Sequence, residues 1–303
     1  MGINSVYELP KQNNQDNYFI THYDDVQIHF IGVCDGHGTY GHLVSHFIKE
    51  TLPQCMHREF LNKSTTTTTT NANNSGNTAN INALHPSVIK RCIENAFVQT
   101  NSKLSNNASI DTNFSGSTCV SVVIANECIY TANVGDSRAI VCKQRCTSSG
   151  AVLWESEALT RDHKASEADE SKRIERFGGR IEQYKDEHGV YIGPKRVWLK
   201  NDPVPGLAMT RSFGDQIASS VGVVSDPEIK ERPLKDEDKV VVIASDGLWE
   251  YATNEDVCDI VKDVYASKSS DKICQSLYKA AYKKWKENDD SVDDITIIAM
   301  CFD

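Results

Sequence analysis

Five aspartates occupy comparable places in otherwise unrelated stretches of this chain. Asp16 precedes a run with strand character, Asp35 and Asp246 each close one, Asp136 lies in a Gly-Asp-Ser turn, and Asp293 precedes the last apolar run. A single aspartate at a strand end is ordinarily a turn residue or a helix cap. Two of these, however, end hydrophobic runs with the same Asp-Gly step, and all five would stand at sheet edges. If those edges coincide, ionised carboxylates repel one another and the cluster requires cations. Oxygen donors without cysteine or paired histidine ligands select Mg2+ or Mn2+ over zinc.

The elements that must position these residues can be read from periodicity. Ile28 to Gly38 begins with β-branched and aromatic residues that suit a buried strand and then stops at Asp35, Gly36, His37 and Gly38. Gly36 and Gly38 leave the main chain open to a ligand beside Asp35 and His37. Tyr18 to His22 reads as the preceding strand, joined through Asp24 and Asp25. Leu43, Val44, Phe47, Ile48 and Leu52 follow helical spacing up to Pro53, where a kink or restart is expected. A second helix starts near Pro86. Ser117 to Ala125, Cys128 to Val134 and Arg138 to Lys143 then read as an antiparallel meander with tight turns at Asn126-Glu127 and Gly135-Asp136-Ser137, and a fourth strand covers Ala151 to Ser156.

A charged helix is expected over Ala165 to Phe177, stopped by Gly178-Gly179, followed by a Pro- and Gly-punctuated excursion over 180–235. Lys239 to Ser245 is a strand. Thr253 and Asp256 have capping-box spacing, a second helix carries Ile273, Leu277, Ala281 and Trp285, and the final strand spans Ile295 to Cys301. Strands and helices without regular βαβ alternation indicate α+β.

Composition narrows the function. Lys+Arg 32 against Asp+Glu 42 leaves a net charge of -10, which excludes the basic footprint of a general nucleic-acid binder and suits divalent cations. The 10 cysteines include no CxxC pair and sit mostly in apolar runs, so no disulfide framework is expected. No long apolar span occurs, and Val6 stands where a myristoylation signal after Gly2 has Ser or Thr. An intracellular protein, cytoplasmic or nuclear and without membrane insertion, is expected. Residues 62–82, with six consecutive threonines and many asparagines, read as a disordered surface insertion. His42 and His46 have a zinc-like spacing, but no glutamate follows His42, and a solvated helix face is the simpler reading.

One ordered set of motifs spans nearly the whole chain: Asn14-Gln15-Asp16, Val33 to Gly38, Gly116-Ser117-Thr118, Asn133 to Arg138, Leu159 to His163, Arg173-Ile174-Glu175 with Gly178-Gly179, Leu207 to Asp215, Ala244 to Glu250, and Asp293 to Thr296. With these the sequence resembles the type-2C, metal-dependent Ser/Thr protein phosphatases (the PPM family). The resemblance implies a single catalytic domain over 1–303, built as a four-layer α/β/β/α sandwich of two antiparallel sheets flanked by helix pairs. It implies two Mg2+ or Mn2+ ions, with Asp35 bridging them, Asp246 and Asp293 completing one site, the Gly36 carbonyl on the other, and Asp16 acting through water.

A weaker third metal site corresponds to Asp136, Asp246 and Glu250, His37 corresponds to the general acid, and about 163–205 to a flap beside the cleft. The implied reaction is hydrolysis of phosphoserine and phosphothreonine proteins by metal-activated water, without a phosphoenzyme, by a monomer. The alternative is a non-catalytic phosphatase-fold binding protein. Lys11 stands where many relatives carry a phosphate-gripping arginine, and a lysine lacks the bidentate fork. Replacing it, Lys11→Arg, is expected to lower KM for a phosphopeptide in steady-state assays; an unchanged KM would place Lys11 away from the substrate.

Overall fold

The computed structural model describes residues 2–7, 14–68 and 84–302. Lys11 and the 69–83 part of the Thr/Asn-rich stretch lie outside the described residues. Two antiparallel sheets carry the architecture. The first has the order β1 (Gly2–Tyr7), β15 (Ile297–Cys301), β14 (Asp238–Ala244), β7 (Arg138–Cys146) and β8 (Val152–Ala158). The second runs β12 (Phe213–Gly214), β4 (Gly116–Ser117), β3 (Ile28–His37), β5 (Cys119–Ala125), β6 (Cys128–Val134) and β13 (Glu228–Pro233), with β2 (Asp16–Tyr23) also paired to β3.

Side-chain alternation along these strands builds the layers. On β5, Val120, Val122 and Ile124 enter a core between the sheets, whereas Cys119, Val123 and Ala125 face the core under helices α1 (Gly41–Thr68) and α2 (Pro86–Ser105). On β14, Val241 and Ile243 join the inter-sheet core, while Val240, Val242 and Ala244 lie under α6 (Asn254–Tyr265) and α7 (Ser270–Asn288). Each sheet is therefore covered on both faces, giving the helix, sheet, sheet, helix order expected for an α+β sandwich. Burial on both faces also explains why these strands read as continuous apolar runs rather than alternating ones.

Several local expectations are modified. The Asn126-Glu127 turn closes the β5–β6 hairpin with both residues at positive φ, as a two-residue hairpin turn requires. The meander ends there. β7 pairs with β14 and β8 in the other sheet, so Gly135-Asp136-Ser137 is a crossover between sheets rather than a hairpin turn. Helix α1 runs unbroken through Pro53, because packing of Ile48, Leu52, Cys55, Met56 and Phe60 outweighs the lost backbone bond. The same helix extends to Thr68, so residues 62–68, assigned by composition to a disordered insertion, continue it instead; extending an existing helix costs far less than starting one. The Thr253–Asp256 capping box is formed, with the expected stripe on α7 buried.

The 180–235 excursion contains a third, three-stranded sheet of β9 (Arg180–Lys185), β10 (Tyr191–Trp198) and β11 (Pro205–Leu207), next to α3 (Ala168–Arg176) and α4 (Gln216–Ser219). It has its own small core of Ile174, Val197, Ala218, Val221 and Val223. Glu170 of α3 ties this unit together. Its carboxylate is almost fully buried and receives Arg173 at 2.6 Å, Arg211 at 2.6 Å and the Thr210 hydroxyl at 2.6 Å. Among the described residues no helix is long and apolar enough to cross a membrane, and the cysteines are free thiols.

Burial opposes ionisation of Glu170, but the two guanidiniums and Thr210 hold its pKa far below the ordinary 4.5. A depressed carboxylate stabilises the fold above the unfolded pKa and loses that contribution as pH falls through its folded value. Glu170→Ala is expected to cost about 3–5 kcal/mol near neutrality, measured by urea unfolding. The cost should shrink as the pH is lowered beneath 4.5; a pH-independent difference would contradict the charge-based account.

Candidate metal centre

Strands β2 and β3 bring the first carboxylates together. In the β2–β3 ladder Asp16 is the register partner of Asp35, so the strand-leading and strand-ending aspartates face each other at one sheet edge. Asp35 is fixed by two bonds to β4–β5: its amide donates to Thr118 Oγ1 at 3.1 Å, and its carbonyl accepts from the Thr118 amide at 2.9 Å. The other sheet contributes Asp246, the first residue of α5 (Asp246–Trp249), directly after β14. Asp246 is one of the charges that raise the Asp35 carboxyl.

Ser245 locks the two sheets together at this edge. Its hydroxyl donates to Asp16 Oδ2 at 2.8 Å and accepts from the Thr296 amide at 3.1 Å. Asp294 accepts from the Gln15 amide at 2.9 Å, which holds the Asp293–Asp294 loop against the start of β2. Glycine is required where these segments touch. A Cβ on Gly36 would lie 2.4 Å from the Gly41 carbonyl oxygen, and one on Gly247 would lie 1.9 Å from that of Asp294. The Gly of each Asp-Gly step is thus an approach point for a neighbouring main chain.

Asp16, Asp35, Asp246 and Asp293 therefore form one electrostatic group, with Asp293 exposed at its rim. Burial is the largest cause raising each buried member, and mutual repulsion adds to it. Asp16 is pushed up to about 7 although the nearby Thr296 and the Ser245 hydroxyl oppose the rise. Asp246 is pushed up to about 8, with Asp136 and Asp293 the next causes. Asp35 is raised well above the usual carboxylate range by burial and then by Asp16 and Asp246.

Asp136, in the crossover, is 4% exposed and also raised by burial. Lys164 opposes that shift, and its ammonium also lies 4.0 Å from Glu250 and 3.9 Å from Asp162. Glu250 itself is exposed, one turn beyond Asp246, with the Lys164 ammonium 4.0 Å away. His37 ends β3, opposite Gly116 of β4, so it belongs to the ladder rather than a free turn. Burial alone would lower its pKa, but the Asp215 charge and hydrogen bond raise it overall. His42 and His46 are exposed on α1, as a solvated helix face requires.

Among the described residues, no three His, Cys, Asp or Glu side chains surround a common point as a ready-made cage. The donor chemistry nevertheless fits a hard divalent cation. Asp16 Oδ1, Asp136 Oδ1 and Asp246 Oδ1 are buried without hydrogen-bond partners. Such orphaned oxygens, each on a carboxylate destabilised by its neighbours, are relieved by a cation that accepts oxygen ligands. Sequence reasoning missed Ser245, Thr118, Asp294 and Lys164 as the groups that hold or neutralise the aspartates. Thr118, Ser245 and Asp294 lie within the quoted motifs and Lys164 directly follows one, but nothing local assigned them these roles, because partners such as Ser245 and Asp16 are separated by 229 positions.

With this geometry in place, comparison with known proteins is informative. The family model described as Protein phosphatase 2C matches residues 8–290. A probable protein phosphatase 2C 64 of Oryza sativa subsp. japonica is 34% identical over 274 residues, covering 90% of this chain and 58% of that protein. A probable protein phosphatase 2C 35 of Arabidopsis thaliana is 30% identical over 309 residues, covering 97% of this chain and 80% of that protein. The chain thus spans between 58% and 80% of the length of these relatives. In fold it is similar to the crystal structure of a serine-threonine phosphatase 2C from Toxoplasma gondii, with a TM-score of 0.76 at 18% identity over 99% of this chain and 94% of that one. A family match over most of the chain, together with carboxylates gathered from both sheets, leads to one conclusion: the chain belongs to the protein phosphatase 2C family.

Proposed function

We propose that this chain is a Mg2+- or Mn2+-dependent protein serine/threonine phosphatase that hydrolyses phosphoserine and phosphothreonine with water, without a phosphoenzyme. The observation that carries the proposal is the convergence of Asp16, Asp35 and Asp246, from three separate segments, into one partly buried and mutually repelling group with unpartnered oxygens on Asp16 and Asp246.

In this reading Asp35, the Gly36 carbonyl, Asp246 and Asp293 hold two cations, and Asp16 acts on them through water. Asp136, Asp246 and Glu250 are assigned to a weaker third position, where Lys164 already supplies a positive charge. When bound, the cations supply Lewis-acid stabilisation of the phosphoryl oxygens and lower the pKa of a water molecule. The chain's own contribution is to keep the donors fixed before substrate arrives. Ser245 and Thr118 orient Asp16 and the Asp35 backbone, and His37 offers a proton to the departing serine or threonine oxygen, a role worth about 10²- to 10⁴-fold in rate. Residues of about 163–205, including the small third sheet, serve as a flap beside the cleft within one catalytic domain, and the substrates are phosphoproteins met by a monomer.

Hydrolysis of a phosphothreonine peptide is expected to need added Mg2+ or Mn2+, to resist okadaic acid, and to collapse in Asp246→Asn while circular dichroism shows the fold retained. Full turnover in EDTA would refute the proposal. Calorimetric titration with Mn2+ should show binding to the wild type that is severely weakened in Asp35→Ala. Equal heats from both proteins would remove Asp35 from the metal-binding set, and binding without turnover would favour a non-catalytic member of the family.

A further inference from the structure

Asp215 lies within the Leu207 to Asp215 motif, 178 residues from His37, yet the two side chains meet. Asp215 Oδ2 is 2.6 Å from His37 Nε2 and also accepts the Ser212 hydroxyl at 2.6 Å. The residue is 2% exposed. Its backbone is pinned from both sides: its amide donates to the Ser115 carbonyl at 3.0 Å, its carbonyl accepts from the Ser219 amide at 2.8 Å, and the next amide, of Gln216, donates to the Thr112 carbonyl at 2.8 Å. The carboxylate therefore has little freedom to swing away from the imidazole.

This contact dictates how the ring presents its two nitrogens. An ionised carboxylate accepts hydrogen bonds only, so the nitrogen facing it carries a proton. Nε2 is thus the proton-bearing atom of the neutral ring. The other nitrogen, Nδ1, is buried and has no hydrogen-bond partner. Asp136 and Asp246 are the next charges acting on the ring, which places it beside the candidate centre. An unpartnered ring nitrogen next to the reaction site, on a ring fixed through its other nitrogen, is the arrangement by which a histidine is aimed.

We propose that Asp215 is a positioning residue for the reaction: it holds His37 through Nε2 so that Nδ1 is the atom that delivers the proton to the leaving oxygen. The inference rests on the phosphatase reading above. In the step, water oxygen bonds to phosphorus while the bond from phosphorus to the serine or threonine oxygen breaks. The released electron pair takes the proton from Nδ1, and the ring is left neutral with its remaining proton on Nε2, still held by Asp215. One proton of the attacking water stays on the inorganic phosphate and the other returns the ring to its starting state.

Leaving-group dependence separates aim from mere support. A threonine oxygen needs a proton to depart, whereas the phenolate of p-nitrophenyl phosphate does not. With saturating Mn2+, Asp215→Asn is expected to lower kcat for a phosphothreonine peptide roughly 10²-fold more than kcat for p-nitrophenyl phosphate, with KM little changed. In a His37→Gln background the same substitution should add no further selectivity, because the two residues act as one unit. Equal losses on both substrates, or a selectivity that persists without His37, would overturn the assignment.

Nitrogen-15 NMR of the wild type with Mg2+ provides an arm that does not depend on any variant folding. In the neutral form of the His37 ring the single proton should sit on Nε2, and a neutral ring protonated on Nδ1 instead would overturn the proposal. A wild-type protein inert toward both substrates would sink the phosphatase reading instead, while the NMR arm would still decide the ring's tautomer.

Discussion

Crowding of like charges at one end of the sandwich is the constraint on which the rest of the structure depends. Asp16, Asp35 and Asp246 would each be more stable apart, and burial makes each more costly to ionise than it would be in water. They are held together because each is attached to an element that cannot move independently. Asp16 and Asp35 are register partners in one ladder, and Asp246 follows the best-buried strand of the other sheet. The scaffold thus opposes the electrostatic repulsion, and a cation placed among the oxygens would turn the same crowding into affinity.

Three apolar cores make that opposition possible. The inter-sheet core fixes the two sheets relative to one another, and the two helix-covered cores stiffen each sheet from outside. Where the sheets meet at the candidate centre, the contacts are polar and short: Ser245 to Asp16 at 2.8 Å and Gln15 to Asp294 at 2.9 Å. Gly247 permits the second approach, since a side chain there would collide with the Asp294 carbonyl. Close-packed cores transmit small displacements rather than absorbing them, so the alignment of the carboxylates is as good as the packing behind it.

The small third sheet is coupled to this frame by charge rather than by a large apolar surface. Glu170 joins α3 to Arg211, two residues before Phe213 of β12, and Asp215 follows soon after. The same short segment therefore anchors the excursion at Arg211 and reaches His37 at Asp215. Lys164 sits among Asp136, Asp162 and Glu250, which gives the entry to α3 a direct electrostatic link to the crossover between sheets.

Much of this was legible in the order of residues. The strand-Asp-Gly steps at Asp35 and Asp246, the helix stripe of α7, and the Thr253 capping box are local patterns, set by propensities and by side-chain periods that act within a few residues. The crossover at Gly135-Asp136-Ser137 was not, because a turn of three residues looks alike whether the next strand returns to the same sheet or joins another; the partner strand β14 decides it, about a hundred positions away. The low-complexity stretch likewise gave no sign that α1 would continue into it, since helix propagation depends on what the preceding turns pack against. The pairing of Asp215 with His37, Ser245 with Asp16, and Glu170 with Arg211 had no local signature at all. Residue types and their short-range spacing establish which groups can act, whereas the sheet registers and the packing of the cores establish which of them meet, because those depend on interactions summed over the whole chain.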